Sequence, residues 1–229
     1  MNIVLLGTAY PFRGGLATFN ERLARQLQAE GHQVEVITFT LQYPSFLFPG
    51  KTQYSTENAP TDLQISQQVN SCNPFNWIKV GRRICQMQPD LLITCYWMAF
   101  FAPCYSIIER LAKRNGKTRT IALVHNMIPH EPNILDKLFA PLYVRSTDGF
   151  VALSESVVQD IDRLEQNNKP KTSYPHPIYD HYGEQMNKNE ACQALNLNPE
   201  NQYMLFFGLV RAYKGLDLLL DAFGKVKDQ

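Results

Sequence analysis

The chain's 229 residues are 45 % hydrophobic and 19 % charged, a globular mix long enough to bury a substantial core, which excludes a disordered segment. A formal net charge of +1 excludes a broad basic field for nucleic acid or an anionic membrane, so any bound anion must be held by a local site. The five scattered cysteines (Cys72, Cys85, Cys95, Cys104 and Cys192) form no CxxC pair and read as free thiols of a reducing compartment, which disfavours a disulfide framework and a zinc site.

Asn2 to Gly7 (NIVLLG) reads as a buried strand. No charged region with a small-residue cleavage site accompanies it, which reads as no signal peptide and hence a cytoplasmic protein. Gly15 to Glu30 carries Leu16, Phe19, Leu23 and Leu27 at helical spacing, and Gly31 follows as a stop. Gln33 to Phe39 alternates as a second strand. Tyr43 to Pro60 holds three prolines and four aromatics (Tyr43, Phe46, Phe48, Tyr54), too irregular for a strand and longer than a simple connection. Phe75 to Gln88 predicts a helix. Leu91 to Ile108 is 18 residues without a charge, the lower limit for a membrane span. Pro103 and the polar residues within it favour a buried strand, Leu91 to Tyr96, turning into a helix over about Ala99 to Arg114.

A strand at Arg119 to His125, a helix at Leu135 to Ser146, a strand at Gly149 to Leu153 and a helix at Glu155 to Gln166 continue the alternation. Asn167 to Tyr182, rich in Asn, Lys, Pro and His, reads as a linker. Beyond it come a helix (Lys188 to Leu195), a strand (Tyr203 to Gly208) and a helix (Gly215 to Val226). Strand–helix alternation with short links predicts an α/β fold, a Rossmann-like parallel sheet with helices on both faces. It occupies residues 1–178. Residues 179–229 are expected to begin a second Rossmann-like domain, incomplete because one strand and two helices cannot close a core.

Three segments could carry chemistry. Tyr10-Pro11-Phe12-Arg13-Gly14-Gly15 lies between the first strand and the first helix, where paired glycines let a backbone approach a phosphate at a helix N-terminus. A purely structural glycine turn is the competing reading, and this is not the G-x-G-x-x-G fingerprint. His125, leaving an apolar strand in LVHNMIPHE, should emerge at the same sheet edge. It is either a hydrogen-bonded strand-end histidine or a polar donor or acid–base group facing a ligand. A zinc site from His125, His130 and Glu131 is disfavoured by its spacing. Gly208-Leu209-Val210-Arg211-Ala212-Tyr213-Lys214-Gly215 sets two cations in a glycine-bounded strand–helix turn. Arg211 and Lys214 could grip a diphosphate there, an exposed basic turn being the bland alternative.

The run GLATFNERLARQLQAEGHQVEVIT after Gly14, the strand FVALSES and the segment FFGLVRAYKGLDLLLDAF resemble family 4 retaining glycosyltransferases of GT-B architecture. The resemblance spans nearly the whole chain. It implies transfer of a sugar from a nucleotide-diphosphate sugar to an acceptor hydroxyl, in polysaccharide or glycolipid assembly, with retention of configuration. It further implies an acceptor-side first domain and a donor-binding second one. Gly14 and Gly15 would then line the cleft beside the diphosphate, His125 would contact the donor sugar and help stabilise charge, and Arg211 and Lys214 would neutralise the leaving nucleoside diphosphate. Arg211 is displaced slightly from its commonest family position, and His176-Pro177 stands where many members have Asn-Gly.

No metal and no cofactor are expected, the nucleotide sugar being a co-substrate, and the chain has no DxD motif. The acceptor-binding residues are not readable. The expected partners are the donor and a carbohydrate or lipid-linked acceptor, with no nucleic acid and with a peripheral contact with the inner membrane face left open. The family's glutamate motif of the second domain does not occur, so the chain alone is expected to bind donor weakly or not at all and not to turn over. A non-catalytic nucleotide- or sugar-binding α/β module is the alternative. A nicotinamide oxidoreductase is disfavoured, because the glycine fingerprint and the acidic residue after Gln33–Phe39 are both missing.

Overall fold

The computed structural model describes residues 1–44, 52–128, 134–178, 183–208, 210 and 214–226, with the backbone alone at 134 and 135. It divides into two compact units, Met1–Pro177 and Ile178–Gln229. In the first, β1 (Asn2–Leu6), β2 (Gln33–Leu41), β3 (Gln64–Asn70), β4 (Leu91–Tyr96), β5 (Arg119–Val124), β6 (Gly149–Ala152) and β7 (Lys171–Ser173) form one sheet. The order is β3-β2-β1-β4-β5-β6-β7 and every pairing is parallel. The crossovers carry α1 (Gly15–Ala29), α2 (Pro74–Met87), α3 (Ala102–Ala112), α4 (Ile134–Ser146) and α5 (Glu155–Leu164).

Alternation along the strands sends side chains to opposite faces. Ile3 and Leu5 join Val34, Val36, Ile93 and Leu123 in one core, against Phe19 and Ala24 of α1. Val4 and Leu6 join Ile37, Leu92 and Val124 in the other, against Val80, Ile84, Tyr105, Ile108, Tyr143 and Ile161 of α2 to α5. Helices therefore cover both faces, as the parallel pattern demands. The uncharged stretch resolves into β4, a 3-10 turn at Ala99–Phe101 and α3. Among the described residues no helix is long and apolar enough to cross a membrane.

Three segments differ from expectation. Gln64–Asn70, to which the sequence pattern assigns no element, is the edge strand β3; with one neighbour and partial exposure it has no need of an apolar sequence. The expected linker contains β7, and Lys169 Nζ donates to the carbonyls of Val144, Arg145 and Thr147 at the end of α4. Such a cation satisfies orphan carbonyls and complements the helix dipole. Tyr203–Gly208, expected as a strand, has no ladder. No partner strand occurs among the described residues of its unit, and Leu205 and Phe207 are exposed. That unit consists of α6 (Lys188–Leu195), opened by an Asn187–Glu190 capping box, and α7 (Leu216–Val226).

Glu109 is fully buried between α3, α4 and the sheet. Hydroxyls of Thr94 (2.8 Å), Ser146 (2.6 Å) and Thr147 (2.9 Å) donate to its carboxyl group, and Thr94 also meets the Tyr143 hydroxyl at 2.6 Å. Burial pushes its pKa up to about 7, against the hydroxyl hydrogen bonds and nearby Lys113, which hold it down. Because the folded value lies above the ordinary 4.5, the unfolded chain loses this proton first as pH rises. The Glu109 contribution to stability should fall by about 3 kcal/mol between pH 4.5 and 7 and stay level above. In urea unfolding, the stability difference between wild type and Glu109→Gln should show that fall. A difference independent of pH would contradict the assignment.

Candidate functional site

Because every strand is parallel, the loops after β1, β4 and β5 leave the sheet at one edge, and the winding reverses between β1 and β4. That reversal opens the crevice in which doubly wound sheets hold ligands. Gly7, just after β1, is confined there. A Cβ on it would lie 2.7 Å from Cys95 Cβ and 2.8 Å from Asn20 Nδ2. Asn20 in turn donates to Thr8 O at 2.8 Å, drawing α1 tight against the exit of β1.

The following turn is pinned residue by residue. Ala9 N donates to Thr38 Oγ1 at 3.1 Å, and Tyr10 N to Glu21 Oε1 at 2.9 Å. Phe12 is buried against Phe39 and Tyr54. Arg13 is tied by its backbone N–H to Gln53 O and by its Nε to Thr52 O. The chain thus reaches Gly14 with little freedom. Gly14 has φ 109°, a value that favours glycine, and acts as N-cap of α1 without a side-chain cap or an acid in the first turn. The positive end of α1 is left unoffset by any side chain of that turn. Gly14 lines a pocket of about 110 Å³ together with Gly15, Arg13, Gln42, Tyr43 and Trp97. The buried Trp97 Nε1 has no hydrogen-bond partner among the described residues.

His125 directly follows β5, its backbone N–H bonded to Tyr96 O at 2.9 Å. Its ring meets Phe19 edge-on at 5.0 Å, so the first turns of α1 and the end of β5 touch through this pair. The sheet edge therefore brings Gly14, Gly15 and His125 together, although His125 does not line the Gly14 pocket. Its Nε2 is buried and without a hydrogen-bond partner among the described residues. Burial, helped by nearby His176, lowers its pKa from 6.5 to about 4. At neutral pH the ring is uncharged. An uncharged ring can offer a hydrogen bond but not a positive charge.

His176, an unexplained departure in the sequence, lies against Phe19 at 5.0 Å and against His125 at 6.2 Å. Its contact with His125 is tertiary and had no local signal. Trp97 did have one, standing immediately after a predicted buried strand at the ligand-bearing edge. Lys214 belongs to the other unit, in a turn before α7 where Gly208 and Gly215 both have positive φ. Its ammonium lies 3.0 Å from where a Cβ on Gly208 would stand, so glycine leaves room for the lysine. Arg211 lies outside the described residues, as do His130 and Glu131 of the disfavoured zinc reading.

The model of Glycosyltransferase Family 4 matches residues 13–174. The chain is 25 % identical over 219 residues to the O-antigen chain mannosyltransferase C of Escherichia coli, covering 94 % of this chain and 55 % of that protein. It thus spans about half the length of that relative. Among solved structures it is similar to sucrose-phosphate synthase from Thermosynechococcus elongatus, with TM-score 0.61 and 13 % identity, over 99 % of this chain and 60 % of that one. It is also similar to the catalytic domain of starch synthase IV from Arabidopsis thaliana bound to ADP and acarbose, with TM-score 0.56 and 14 % identity, over 99 % of this chain and 66 % of that one. These structural likenesses carry the fold.

The buried imidazole makes a direct prediction. In a proton NMR titration the His125 ring should titrate near pH 4, whereas a midpoint at the ordinary 6.5 would overturn the buried, neutral assignment. Since its folded pKa is depressed, its contribution to stability is present above pH 6.5 and lost as pH falls toward 4.

Proposed function

The chain belongs to Glycosyltransferase Family 4, and from that premise we propose that it takes a sugar from a nucleotide-diphosphate sugar to an acceptor hydroxyl. The product would be a polysaccharide or glycolipid, made in the cytoplasm with retention of anomeric configuration. The observation that carries the reading is the meeting of Gly14, Gly15 and His125 at one edge of the sheet, at its winding reversal. The relative that acts as an O-antigen chain mannosyltransferase and the ADP bound to a structural neighbour support a nucleotide-linked hexose and a glycan acceptor.

In this reading residues 1–178 form the acceptor side and 179–229 the beginning of the donor side. The bond between the anomeric carbon and the diphosphate oxygen breaks, leaving its electron pair on the diphosphate. The acceptor hydroxyl attacks from the same face, and its proton passes to the departing phosphate oxygen. Negative charge grows on the diphosphate, where the N-terminal end of α1 and the cations Lys214 and Arg211 would offset it. These groups supply the stabilisation a metal ion supplies in other transferases, so no cofactor is invoked. Neutral His125 would hold a donor-sugar hydroxyl through its buried Nε2 and orient the sugar.

Loss of one charge-stabilising group costs about a hundredfold or more in turnover. In the protein that carries this chain, Lys214→Ala should lower sugar transfer by about that factor. Lys214 is exposed, so the melting temperature should not change. Transfer at the wild-type rate would remove Lys214 from the site.

A further inference from the structure

The helix α2 presents a surface outside the candidate site. Phe75 is 84 % exposed, and Ile78 lies beside it at 36 %. With Lys79, Arg82, Arg83 and Gln86 they line a shallow groove along the outer stripe of the helix. The stripe follows from spacing, since these positions recur every three or four residues while Val80, Gly81 and Ile84 face the core. The helix has three cations and no acid. Arg83 pairs with Glu35 at 3.6 Å, whereas Lys79 and Arg82 make no ion pair among the described residues. The neighbouring helix adds exposed Arg110 and, just beyond its end, exposed Arg114, while its one acid, Glu109, is buried.

The exposure of Phe75 is held in place by its neighbours. Asn73 caps the helix, accepting from the N–H groups of Phe75 and Asn76. Asn76 bonds Asn70 N and Gln68 O, and Trp77 Nε1 donates to Asn70 O at 2.8 Å. Trp77 is thereby anchored inward against the core, and Phe75 is left pointing to solvent. An aromatic and an aliphatic tip among unpaired cations matches an anionic lipid surface, with apolar groups for the acyl boundary and cations for the headgroups. An acidic protein surface would leave Phe75 and Ile78 without a comparable medium.

We propose that the α2 face bearing Phe75, Ile78, Lys79, Arg82 and Arg83 docks this protein on an anionic lipid bilayer. The face begins at the end of α2 that follows β3, the same sheet edge that carries Gly14 and His125. Docking there sets the acceptor-side edge near the headgroups, where a lipid-linked acceptor would present its hydroxyl. Its purpose rests on the proposed transfer to such an acceptor, while its measurement needs no transfer at all.

The test is flotation of the 229-residue chain with vesicles of phosphatidylcholine containing phosphatidylglycerol, and with vesicles of phosphatidylcholine alone. Binding is expected only to the mixed vesicles, and should weaken with added salt. Each cation near such a surface is worth about fivefold in partitioning, so Lys79→Gln with Arg82→Gln should weaken binding about 25-fold. Phe75→Ser should weaken it separately and leave the salt dependence unchanged. All three side chains are exposed, and unchanged melting curves would confirm that the variants fold. No binding to mixed vesicles, equal binding by the variants, or equally tight binding to duplex DNA lost in the same double variant would overturn the proposal. Failure of flotation with intact sugar transfer would sink the docking face alone. Docking of the chain together with no sugar transfer by the protein that carries it would sink the proposed function and leave the face standing.

Discussion

The pairing of β1 with both β2 and β4 is the constraint from which the rest of the first unit follows. A central strand flanked in parallel on both sides must be buried on both faces, which is why Ile3–Leu6 reads as an unbroken apolar run. The connections must then run outward in opposite directions, and the reversal between β1 and β4 leaves a crevice that no side chain of the ladder fills. Gly7 shows how tightly that crevice is held. The backbone passes so close to Cys95 and Asn20 that even a methyl group has no room. The position of α1, and with it the placement of Gly14 and Phe19, depends on this contact and on the Asn20–Thr8 hydrogen bond.

The edge so built is a field of dipoles, with no charged histidine. A helix N-terminus without a side-chain cap at Gly14, a buried neutral imidazole and an indole N–H with no partner among the described residues lie along it. Such groups act on a ligand only when water is excluded, because they carry partial charges that bulk solvent screens. Formal charge enters this edge through Arg13, whose guanidinium is tied to Thr52 O. Glu109 shows the opposite use of burial. Its three hydroxyl partners tie β4 to the end of α4, joining layers behind the sheet rather than addressing a ligand.

The parts legible in the sequence were those with a local physical cause. β1, β2, β4, β5 and β6 declared themselves because buried parallel strands must be apolar, and Gly31 ended α1 as a positive-φ residue should. The edge rule for parallel sheets located Gly14, Gly15 and His125 from order alone. What escaped depended on partners distant in sequence. The polar strand QISQQVN is a strand because β2 lies beside it, and Lys169 docks a stretch that reads as linker. Tyr203–Gly208 has the strand pattern without a neighbour to pair with among the described residues, which shows the converse. The contact of His176 with His125, like the burial of Glu109, exists only once the chain is folded.

The same distinction governs the charge. A net charge of +1 is a sum over the whole chain, but a surface responds to charges within about one Debye length, roughly 8–10 Å. Where acids are paired locally, as Asp90 with Lys117 and Asp148 with Lys113, they do not cancel cations on another helix. The outer stripe of α2 therefore keeps a positive field that the composition averages away. Its origin is the one that shaped the sheet edge: a helix on one face of a parallel sheet must bury one stripe. Packing leaves the opposite stripe free to carry groups chosen for something other than stability.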